Sequence, residues 1–516
     1  MKIACACVIT IQEGRIDMWI NVVDYGAVGD GQTKDAVVIQ AALDEARCTE
    51  RGGMVIIPAG TYRLEKTLYV SSNTHIIAAP TARLLRDHDG YLVTNGRPKE
   101  SFEGYDGHSN ITIEGGIWDF NGVERRKMHN CFAIGHGENI TLERMEIRDV
   151  AGAHAIEVCG CRNVWINGCR FLGFIDTGGR SFSEAVQIDL MKAVWVFSAF
   201  GAYDQTICEN IWINDCYFGS SDTEGSQVWP RGIGSHSSTI GVWHENIVIS
   251  GNVFEGTSKQ AVRGYSWKNV QIHHNQLLHC GAGIEVSSPP LSDAKDTKNI
   301  FGIQTGKSQP CENTEIVSNI ITGGLSYHHG IAIIGERTGI MENVSISGNI
   351  ISDSAEQSNY SGVNIVYGDT VKVHNNILKN LKGTAITAGK GNSYNIQDNA
   401  ISRAGGDGIA IIGSTDGVDI KNNSIHYIQD NGIVISDKVK MAVIHGNTIN
   451  GVNGRNMDAC PISVKQADYV TISANTYFDE KPEFQVSTML NIASSCNHVL
   501  QNENYFPSPS RNASQS

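Results

Sequence analysis

Several short apolar segments of the chain carry side chains that can exchange protons or bind sugars. In a β-strand alternate residues point to opposite faces, so residues that flank buried aliphatic ones point outward. By this rule Val186 and Ile188 point inward, and Gln187 points outward. Applied to the neighbouring segments, the rule predicts an outward polar row made of Glu157, Gln187, Asp189, His236, Arg263, Tyr265 and Glu285.

Aromatic and acidic side chains next to this row extend its chemistry. Trp229 and Trp267 are predicted to be platforms on which sugar rings stack. The segment that follows Asp189 adds a phenol and a carboxylate, Tyr203 and Asp204. A solvated sheet face carries polar residues in any case. The convergence of carboxylates, amide, imidazole, guanidinium and phenol nevertheless favours a ligand-binding cleft.

Two reactions fit such a cleft. A lyase acting on a uronate polymer needs a group that neutralises the substrate carboxylate, a base that removes the adjacent proton, and an acid that protonates the leaving oxygen. The lyase set is Gln187, His236, Arg263 and either Tyr203 or Tyr265. A hydrolase needs two carboxylates, which Asp189 supplies together with Glu157 or Asp204. We favour the lyase. The alternatives are a hydrolase and a non-catalytic sugar-binding or tail-fibre-like protein.

A ten-residue pattern recurs along the chain and indicates which elements carry these side chains. Clear copies are Glu245-Asn-Ile-Val-Ile-Ser-Gly-Asn252 and Glu342-Asn-Val-Ser-Ile-Ser-Gly-Asn349. Apolar and polar residues alternate, an Asn interrupts, and the alternation resumes, which is typical of strand, tight turn and strand. The Asn suits the turn because it tolerates a left-handed backbone. Such self-similarity predicts a stacked solenoid.

The spacing of the copies predicts a parallel β-helix and locates the site. From Asn376 to Asn447 the turn asparagine returns every 23 or 24 residues, a plausible length for one coil. Between Cys169 and Asn319 the intervals are longer and irregular. A regular solenoid needs no insertions for its stability, so long loops in one sector are expected to build a binding site. The outward polar row falls in this sector.

The segment before the repeats has a different pattern. It begins with Val23-Asp-Tyr-Gly-Ala-Val-Gly-Asp-Gly, continues through a helical period at Ile39, Ala42 and Leu43, and ends with Gly52-Gly-Met-Val-Ile-Ile-Pro. This stretch resembles the N-terminal cap of the pectate-lyase-like right-handed β-helix superfamily, which includes polygalacturonase-related proteins and tailspike-type depolymerases. The resemblance implies an all-β fold. The implied architecture is a right-handed parallel β-helix solenoid whose open end is closed by an N-terminal capping helix.

The resemblance also bears on the site. The polygalacturonase motifs occur in the order acidic residues, His and Arg. This chain has the same order, with His236 and then Arg263 after its acidic residues. At those positions, however, the chain reads Gln-Ile-Asp189, Tyr-Asp204, Gly-Ser-His236 and Arg263-Gly-Tyr265. The set is also similar to the Gln, His, Arg and Tyr of some alginate lyases, an analogy of chemistry on a different fold. Related lyases often use calcium, so Ca²⁺ is the candidate cofactor. The outward carboxylates are too dispersed to assign it a site.

Composition limits the classes of function. The chain has 516 residues, and its net charge of −14 argues against general nucleic-acid binding. No apolar run is long enough to span a membrane. The spacing of the thirteen cysteines fits neither a disulfide scaffold nor a zinc module, so buried thiols are expected. The expected partner is a polysaccharide or oligosaccharide, and the oligomeric state is left open.

The chain is predicted to have three parts. Residues 1–22 form an N-terminal extension, residues 23–506 a single right-handed β-helix domain, and residues 507–516 a disordered tail. The extension contains a short apolar run without a convincing cleavage site. It is interpreted as a weak signal peptide or as a mis-called start before Met18. Localisation therefore stays open between the cytoplasm and export by a non-standard route.

Overall fold

The computed structural model describes residues 18–48, 52–354, 360–452, 459–479, 484 and 486–506. The predicted tail at 507–516 and the first 17 residues of the predicted extension lie outside these ranges. The described chain divides into two compact units. The first unit contains the residues up to Tyr265 and Lys298–Ile303, and the second contains Ser266–Thr297 and the residues from Gln304 onward. A single domain over residues 23–506 stays a prediction.

Short parallel strands build the first unit. Besides the helix α1 (Ala36–Arg47) and a 3-10 turn at Val22–Tyr25, its described strands are, in chain order, β1 to β21: Met18–Asn21, Asp30–Lys34, Gly53–Ile57, Gly60–Leu64, Leu68–Tyr69, Thr74–Arg86, Val93–Thr94, Ile111–Asp119, Phe132–Gly135, Glu138–Glu143, Glu146–Ala151, Ile156–Cys159, Arg162–Asn167, Arg170–Ile175, Glu184–Asp189, Glu209–Asn214, Tyr217–Gly219, Arg231–Gly234, His244–Ser250, Val253–Glu255 and Gln260–Tyr265.

Each regular coil of this unit contributes one strand to each of three parallel stacks. The first stack contains β10, β13, β16 and β19, and the second contains β11, β14, β17 and β20. The third stack contains β7, β9, β12, β15, β18 and β21. Aliphatic residues in register, such as Ile156 opposite Val186 and Val186 opposite Ile233, fill the interior. The predicted right-handed parallel β-helix is confirmed.

The helix α1 covers the N-terminal end of the first unit. Its apolar face, which includes Ile39 and Leu43, is buried, and Ala46 lies against Gly53 at the start of β3. The predicted capping helix is therefore present. The strand β1 pairs with β3, so residues from Met18 onward belong to the folded body rather than to an extension that ends at residue 22.

The second unit repeats the same coil. Its described strands are, in chain order, β22 to β46: Trp267–His273, Gln276–Leu278, Ala282–Ser287, Cys311–Val317, Ile320–Thr322, Ile331–Ile334, Met341–Ser347, Ile350–Ser352, Val363–Val366, Gly368–His374, Ile377–Leu381, Ile386–Gly389, Asn392–Gln397, Ala400–Ala404, Ile409–Ile412, Thr415–Lys421, Ser424–Ile428, Ile433–Ile435, Val439–His445, Thr448–Val452, Ile462–Val464, Ala467–Ser473, Thr476–Phe478, Leu490–Ile492 and Asn497–Asn502.

The turn asparagines form a continuous buried ladder in the second unit. The side chain of Asn399 donates to Asn423 at 2.9 Å and to the carbonyl of Val373 at 2.9 Å. Its oxygen accepts from the amide of Asn376. The left-handed residue is the preceding one, for example Asp398 with φ 56. The expectation that the Asn itself takes the left-handed conformation is wrong, because its side chain is needed inside to satisfy the turn's backbone groups.

Asn399→Ala tests the ladder. We expect a loss of about 1–3 kcal/mol in the free energy of unfolding, because buried donors and acceptors of Asn376 and Asn423 lose their partner. Urea unfolding measures it. Asn392→Ala, at an exposed strand position, is the matched control and should change stability by less than about 0.5 kcal/mol. Equal losses in both variants would contradict a stabilising role for the ladder.

Cysteines take the ladder position in the first unit. Cys169 and Cys216 are buried free thiols, and the amide N–H of Cys216 donates to the side-chain oxygen of Asn252 at 2.9 Å. Most cysteines in the described ranges are likewise buried and free. The expectation of buried structural thiols holds for them, because the thiol behaves here as a small apolar side chain.

Candidate functional site

A cavity of about 210 Å³ opens over the outward face of the third stack in the first unit. Pairing in register brings Glu157 on β12 beside Gln187 on β15, and Gln187 beside Gly234 on β18. Loops before and after these strands complete the lining. The residues that line the cavity are Tyr91, Met128, His129, Asn130, Ala153, His154, Glu157, Arg180, Gln187, Trp195, Val196, Ser198 and His236.

The carboxylate of Glu184 holds two cations at one side of the cavity. Arg231, its partner in register on β18, donates to one oxygen at 3.0 Å. His236 donates from Nδ1 to the other oxygen at 3.1 Å. Burial disfavours the charge of Glu184, but His236 and then Arg231 outweigh burial and lower the pKa of Glu184. Burial likewise opposes the charge of His236, and Glu184 nevertheless raises the pKa of His236.

Glu157 behaves in the opposite way. Its side chain is buried and accepts a hydrogen bond from the amide of Asn130. No cation contacts it directly among the described residues. Burial, and then the nearby charge of Asp189, raises the pKa of Glu157 well above its usual range, although the more distant Arg180 lowers it. Burial therefore favours the protonated form of this carboxyl group, which is the form required of a general acid.

Two further basic side chains complete this end of the cavity. Arg180 donates to the carbonyl of Gly152 at 2.7 Å and lies 3.3 Å from Nε2 of His154. Burial lowers the pKa of His154 to about 3, so this histidine is neutral. On the other side His129 packs edge-on against Tyr91 at 5.0 Å, and burial lowers the pKa of His129. Burial also raises the pKa of Tyr91 to about 12.

Asp189 lies behind the cavity rather than in its lining. Its carboxylate accepts hydrogen bonds from the hydroxyl of Ser237, the amide of Leu190 at 2.9 Å and the side chain of Gln187 at 2.8 Å. Burial raises the pKa of Asp189, while His236 and the hydrogen bonds partly oppose this. The amide oxygen of Gln187 is buried and has no protein partner. Asp189 therefore orients Gln187, whose oxygen is available to a ligand.

A segment between β15 and β16 forms one wall of the cavity. We call Leu190–Thr206 the wall segment. It places Trp195, whose exposed fraction is 58%, at the cavity and packs Phe197 and Phe200 into a buried cluster. The hydroxyl groups of Tyr91 and Ser198 lie 2.5 Å apart. An exposed indole beside buried acid and cationic groups is a suitable surface for a sugar ring.

The structure brings together three of the predicted residues as lining, namely Glu157, Gln187 and His236. Arg263 does not line this cavity. It donates to the carbonyl of Ser235 at 2.6 Å and lies over the ring of Tyr265 at 4.8 Å. Tyr265 is only 3% exposed, since the guanidinium of Arg263 lies over its ring, and it is not part of the lining. Its role as a catalytic phenol stays a prediction.

The prediction that Trp229 and Trp267 are sugar-stacking platforms is wrong. Trp229 is fully buried and packs on Phe174 at 5.2 Å between ring centroids. Trp267 is also fully buried, and it belongs to the second unit. Large apolar rings are more stable in the interior than in water, and the strand ends here turn them inward. The exposed indole of the site is Trp195 instead.

The remaining predicted residues are not part of the lining. Asp204 accepts from the amide of Gly104 at 2.7 Å and from Thr206, so its carboxylate closes a loop. Tyr203 is 38% exposed but lies outside the lining. Glu285 belongs to the second unit, where His328 lies 3.5 Å from it. Among the described residues no three His, Cys, Asp or Glu side chains are grouped to hold a metal ion, and calcium stays an untested expectation.

Known proteins share this architecture. The model of the family described as "Rhamnogalacturonase A/epimerase, pectate lyase-like" matches residues 19–292, which is more than half of the chain. The chain belongs to this family. A second family model, the right-handed β-helix region, matches residues 302–477. The site described above lies within the part of the chain matched by this family.

Curated relatives differ in their named activities. The plasmin and fibronectin-binding protein A of Streptococcus pneumoniae is 26% identical over 418 residues, covering 73% of this chain and 56% of that protein. Alginate lyase 7 of Azotobacter vinelandii is 34% identical over 149 residues, covering 26% of this chain and 17% of that protein. The chain therefore spans about half the length of the first relative and less of the second.

One solved structure supports the fold over nearly the whole chain. The crystal structure of PfbA, a surface adhesin of Streptococcus pneumoniae, has a TM-score of 0.55 to this structure at 18% identity. The match covers 90% of this chain and 93% of that chain. At this identity the likeness concerns the fold alone. In the described part of the pectate lyase-like chain, no helix has the length and apolar character needed to cross a membrane.

The outward-row rule missed several residues of the site. Parity assigns Glu184 to the inward face with Val186, yet its carboxylate reaches His236. Arg180 and Trp195 lie in insertions between strands of the third stack, where alternation carries no information. The available signal was a basic residue and an aromatic residue placed inside the irregular intervals of the repeat. Loops of that kind are where binding residues concentrate.

Proposed function

We propose that this protein binds a uronate residue of an acidic polysaccharide in the cavity and cleaves the chain by β-elimination. The observation that supports the proposal is the combination of two basic side chains, Arg180 and His236, with a buried carboxyl group whose pKa is raised, Glu157. Cations attract and neutralise the uronate carboxylate, which acidifies the neighbouring C–H bond. A protonated carboxyl can then donate its proton to the leaving oxygen.

Each chemical role has a candidate in the lining. Arg180 and His236 hold the substrate carboxylate, and the unpaired oxygen of Gln187 accepts from a sugar hydroxyl. His129, neutral because its pKa is lowered, removes the proton next to the carboxylate. The electrons form the new carbon–carbon double bond, the glycosidic C–O bond breaks, and Glu157 delivers its proton to the departing oxygen. The reaction needs no added oxidant or water.

A digestion assay tests the proposal. Alginate, pectate and similar polymers are incubated with the protein, and the ultraviolet absorbance of the unsaturated uronate product is followed beside the appearance of reducing ends. The expected result is a parallel increase of both signals on one uronate polymer. Reducing ends without ultraviolet absorbance would contradict elimination.

A hydrolase is the second candidate, and one observation favours it. Asp189 lies one strand away from Glu157 and two residues further along, because Cys159 and not Glu157 is its partner in register. The two carboxyl groups therefore lie on adjacent strands and are offset along the strand direction, which leaves room for a water molecule between them. Inverting hydrolases hold their carboxyl groups about 6.5–9.5 Å apart. Reducing ends without unsaturated product would select this candidate.

A binding protein without catalysis is the third candidate. It is favoured by the relative named for plasmin and fibronectin binding, which matches 73% of this chain. In that case the cavity binds uronate oligosaccharides and releases no product. Calorimetric binding in the absence of any new reducing end or ultraviolet signal would select it.

Trp195→Ala tests the sugar platform. We expect KM to increase about tenfold, equivalent to about 1.4 kcal/mol of binding, with kcat changed by less than a factor of about three. Steady-state kinetics measure both constants. Trp19→Ala is the matched control, because Trp19 and Trp195 are each 58% exposed and only Trp195 lines the cavity. An equal effect of both variants would exclude stacking at Trp195.

The charge of His236 predicts a pH dependence. Its pKa is raised, so the imidazolium persists above the ordinary value of 6.5 and is lost as the pH increases through the folded-state pKa. Since the charged form binds the uronate, kcat/KM should fall along that limb. In His236→Gln the value should be lower and the limb absent. If the decrease of kcat/KM at high pH persisted unchanged in the variant, the titrating group would be Glu157 rather than His236.

A further inference from the structure

The outward positions of the third stack form a path along the coils. Pairing in register aligns Gly234, Gln187, Glu157, Ala133 and Thr94 on successive strands. Neighbouring strands lie about 4.8 Å apart, so a polysaccharide lying along this path would cross roughly one strand per sugar residue. A chain bound at Glu157 and continuing toward the N-terminal coils would have to pass over Ala133.

The wall segment occupies that part of the path. Ala133 is fully buried in a cluster with Met191, Phe197 and Phe200. A Cβ atom added at Gly135, the next outward position on β9, would lie 2.4 Å from the methyl carbon of Met191. The surface directly over Ala133 and Gly135 is therefore filled by apolar side chains of the same chain.

Hydrogen bonds hold the wall segment in place. The amide of Phe102 donates to the carbonyl of Gly201 at 3.0 Å, and the amide of Ala202 donates to the carbonyl of Phe102 at 3.0 Å. The ring of His136 lies 2.9 Å from the carbonyl of Ala202. Backbone pairing on one side and buried aromatic rings on the other make the wall part of the folded body rather than a loosely attached loop.

The size of the cavity agrees with a closed end. Its volume of about 210 Å³ is below the about 300–1,000 Å³ of pockets that hold drug-sized ligands. It is suited to a single sugar ring with its carboxylate. A cavity of that size, closed on one side, receives the last residue of a chain more readily than the middle of one.

We infer that the protein acts on polysaccharide chain ends, so that the wall segment makes it exo-acting. This inference rests on the proposed function, since it describes how that same site meets its polymer. The wall stops the chain beyond Glu157, and the terminal uronate fills the space between Glu157, Arg180 and His236. Internal bonds of a long chain cannot reach the acid because the polymer has no passage across Ala133.

The products of the wild-type protein test the inference. Viscosity, total unsaturated product and product sizes by mass spectrometry are recorded over time on a cleaved uronate polymer. We expect monomers or dimers from the first time point, with viscosity falling only in proportion to the mass released. At equal mass and subsaturating concentration, the initial rate should increase in proportion to the number of chain ends. Long oligomers with a steep early loss of viscosity would overturn the inference.

A variant addresses the wall directly. Phe197→Ala with Phe200→Ala removes two buried rings from the wall, and we expect longer oligomers among its early products. Phe218→Ala is the matched control, because it removes a buried ring from the stack with Phe171 and Phe254 on another face. The control should keep the wild-type product sizes. Short products from a folded double variant would overturn the role of the wall. If the double variant fails to fold, the wild-type product sizes decide.

The outcomes separate this inference from the proposed function. Unsaturated long oligomers from the wild type would leave elimination intact and overturn only chain-end action. Saturated short products would overturn elimination and still support chain-end action. No product from any uronate polymer would overturn both.

Discussion

Glu157→Gln is expected to lower kcat by about 10²–10⁴-fold while leaving the stability of the fold almost unchanged. The amide has nearly the shape of the protonated carboxyl but cannot deliver its proton to the leaving oxygen. Because burial and Asp189 raise the pKa of Glu157 and so favour its neutral form, the neutral amide fits the same buried environment. Steady-state kinetics and urea unfolding of the same preparation measure the two effects.

A control and a contrary outcome define this test. Glu224→Gln changes an exposed glutamate in the same unit and should leave kcat and stability within error of the wild type. If Glu157→Gln kept the wild-type kcat, Glu157 would not be the acid. If activity and stability fell together, its role would be structural.

Glu184→Gln is expected to cause a large loss of folding stability. In this it differs from Glu157→Gln, which is expected to lower kcat and leave stability almost unchanged. The wild-type carboxylate is buried between Arg231 and His236, and removing its charge leaves the guanidinium without its counter-ion. Breaking a buried pair in this way costs about 3–5 kcal/mol. The pKa of His236 should also fall, since Glu184 is the group that raises it. Urea unfolding measures the first effect, and the pH profile of kcat/KM measures the second.

The pH dependence of stability provides a second measurement for Glu184. Its folded-state pKa is lowered, so its contribution is present above the ordinary value of 4.5 and is lost as the pH falls through the lowered pKa. His236 has a raised pKa, so its contribution is lost as the pH increases through that value. Glu184→Gln should flatten the acid limb of stability. An unchanged acid limb would show that other carboxylates dominate it.

Glu157→Gln is itself the matched control for Glu184→Gln. Both residues are buried glutamates on neighbouring strands of the third stack, β12 and β15. Burial raises the pKa of the first, which contacts only an amide, whereas two cations lower the pKa of the second. Equal losses of stability in the two variants would contradict this assignment of charge. Environment, rather than residue type, assigns the two roles.

The repeat allowed the fold to be predicted in detail. Alternation correctly assigned Val186 and Ile188 to the interior, and the turn position of Asn349 returned as a buried ladder. These features are local and repeated many times, so each copy supports the others. The left-handed residue of the turn was placed one position too late, because a pattern of residue types does not distinguish a backbone requirement from a hydrogen-bonding one.

The site was less predictable than the fold. Glu157, Gln187 and His236 followed from parity, since they lie on or next to regular strands. The prediction of Trp229 and Trp267 as sugar-stacking platforms was wrong, because alternation breaks at strand ends, where large rings turn toward the interior. Asp204 was predicted as a site residue, but its carboxylate accepts from a backbone amide and is not part of the lining. Sequence does not reveal which partner a loop carboxylate takes.

Amino-acid sequence alone was sufficient for the parallel β-helix, its capped end and the sector that carries the insertions. The coils and their insertions depend on short-range periodicity, which every coil repeats, whereas the capped end was implied by the resemblance of the N-terminal segment to a known family. Tertiary structure was required to show that Glu184 pairs with His236, that burial raises the pKa of Glu157 and that the wall segment covers Ala133. Each of these depends on burial and on contacts between residues distant in the chain. Such contacts set pKa values and close cavities without leaving a local pattern in the sequence.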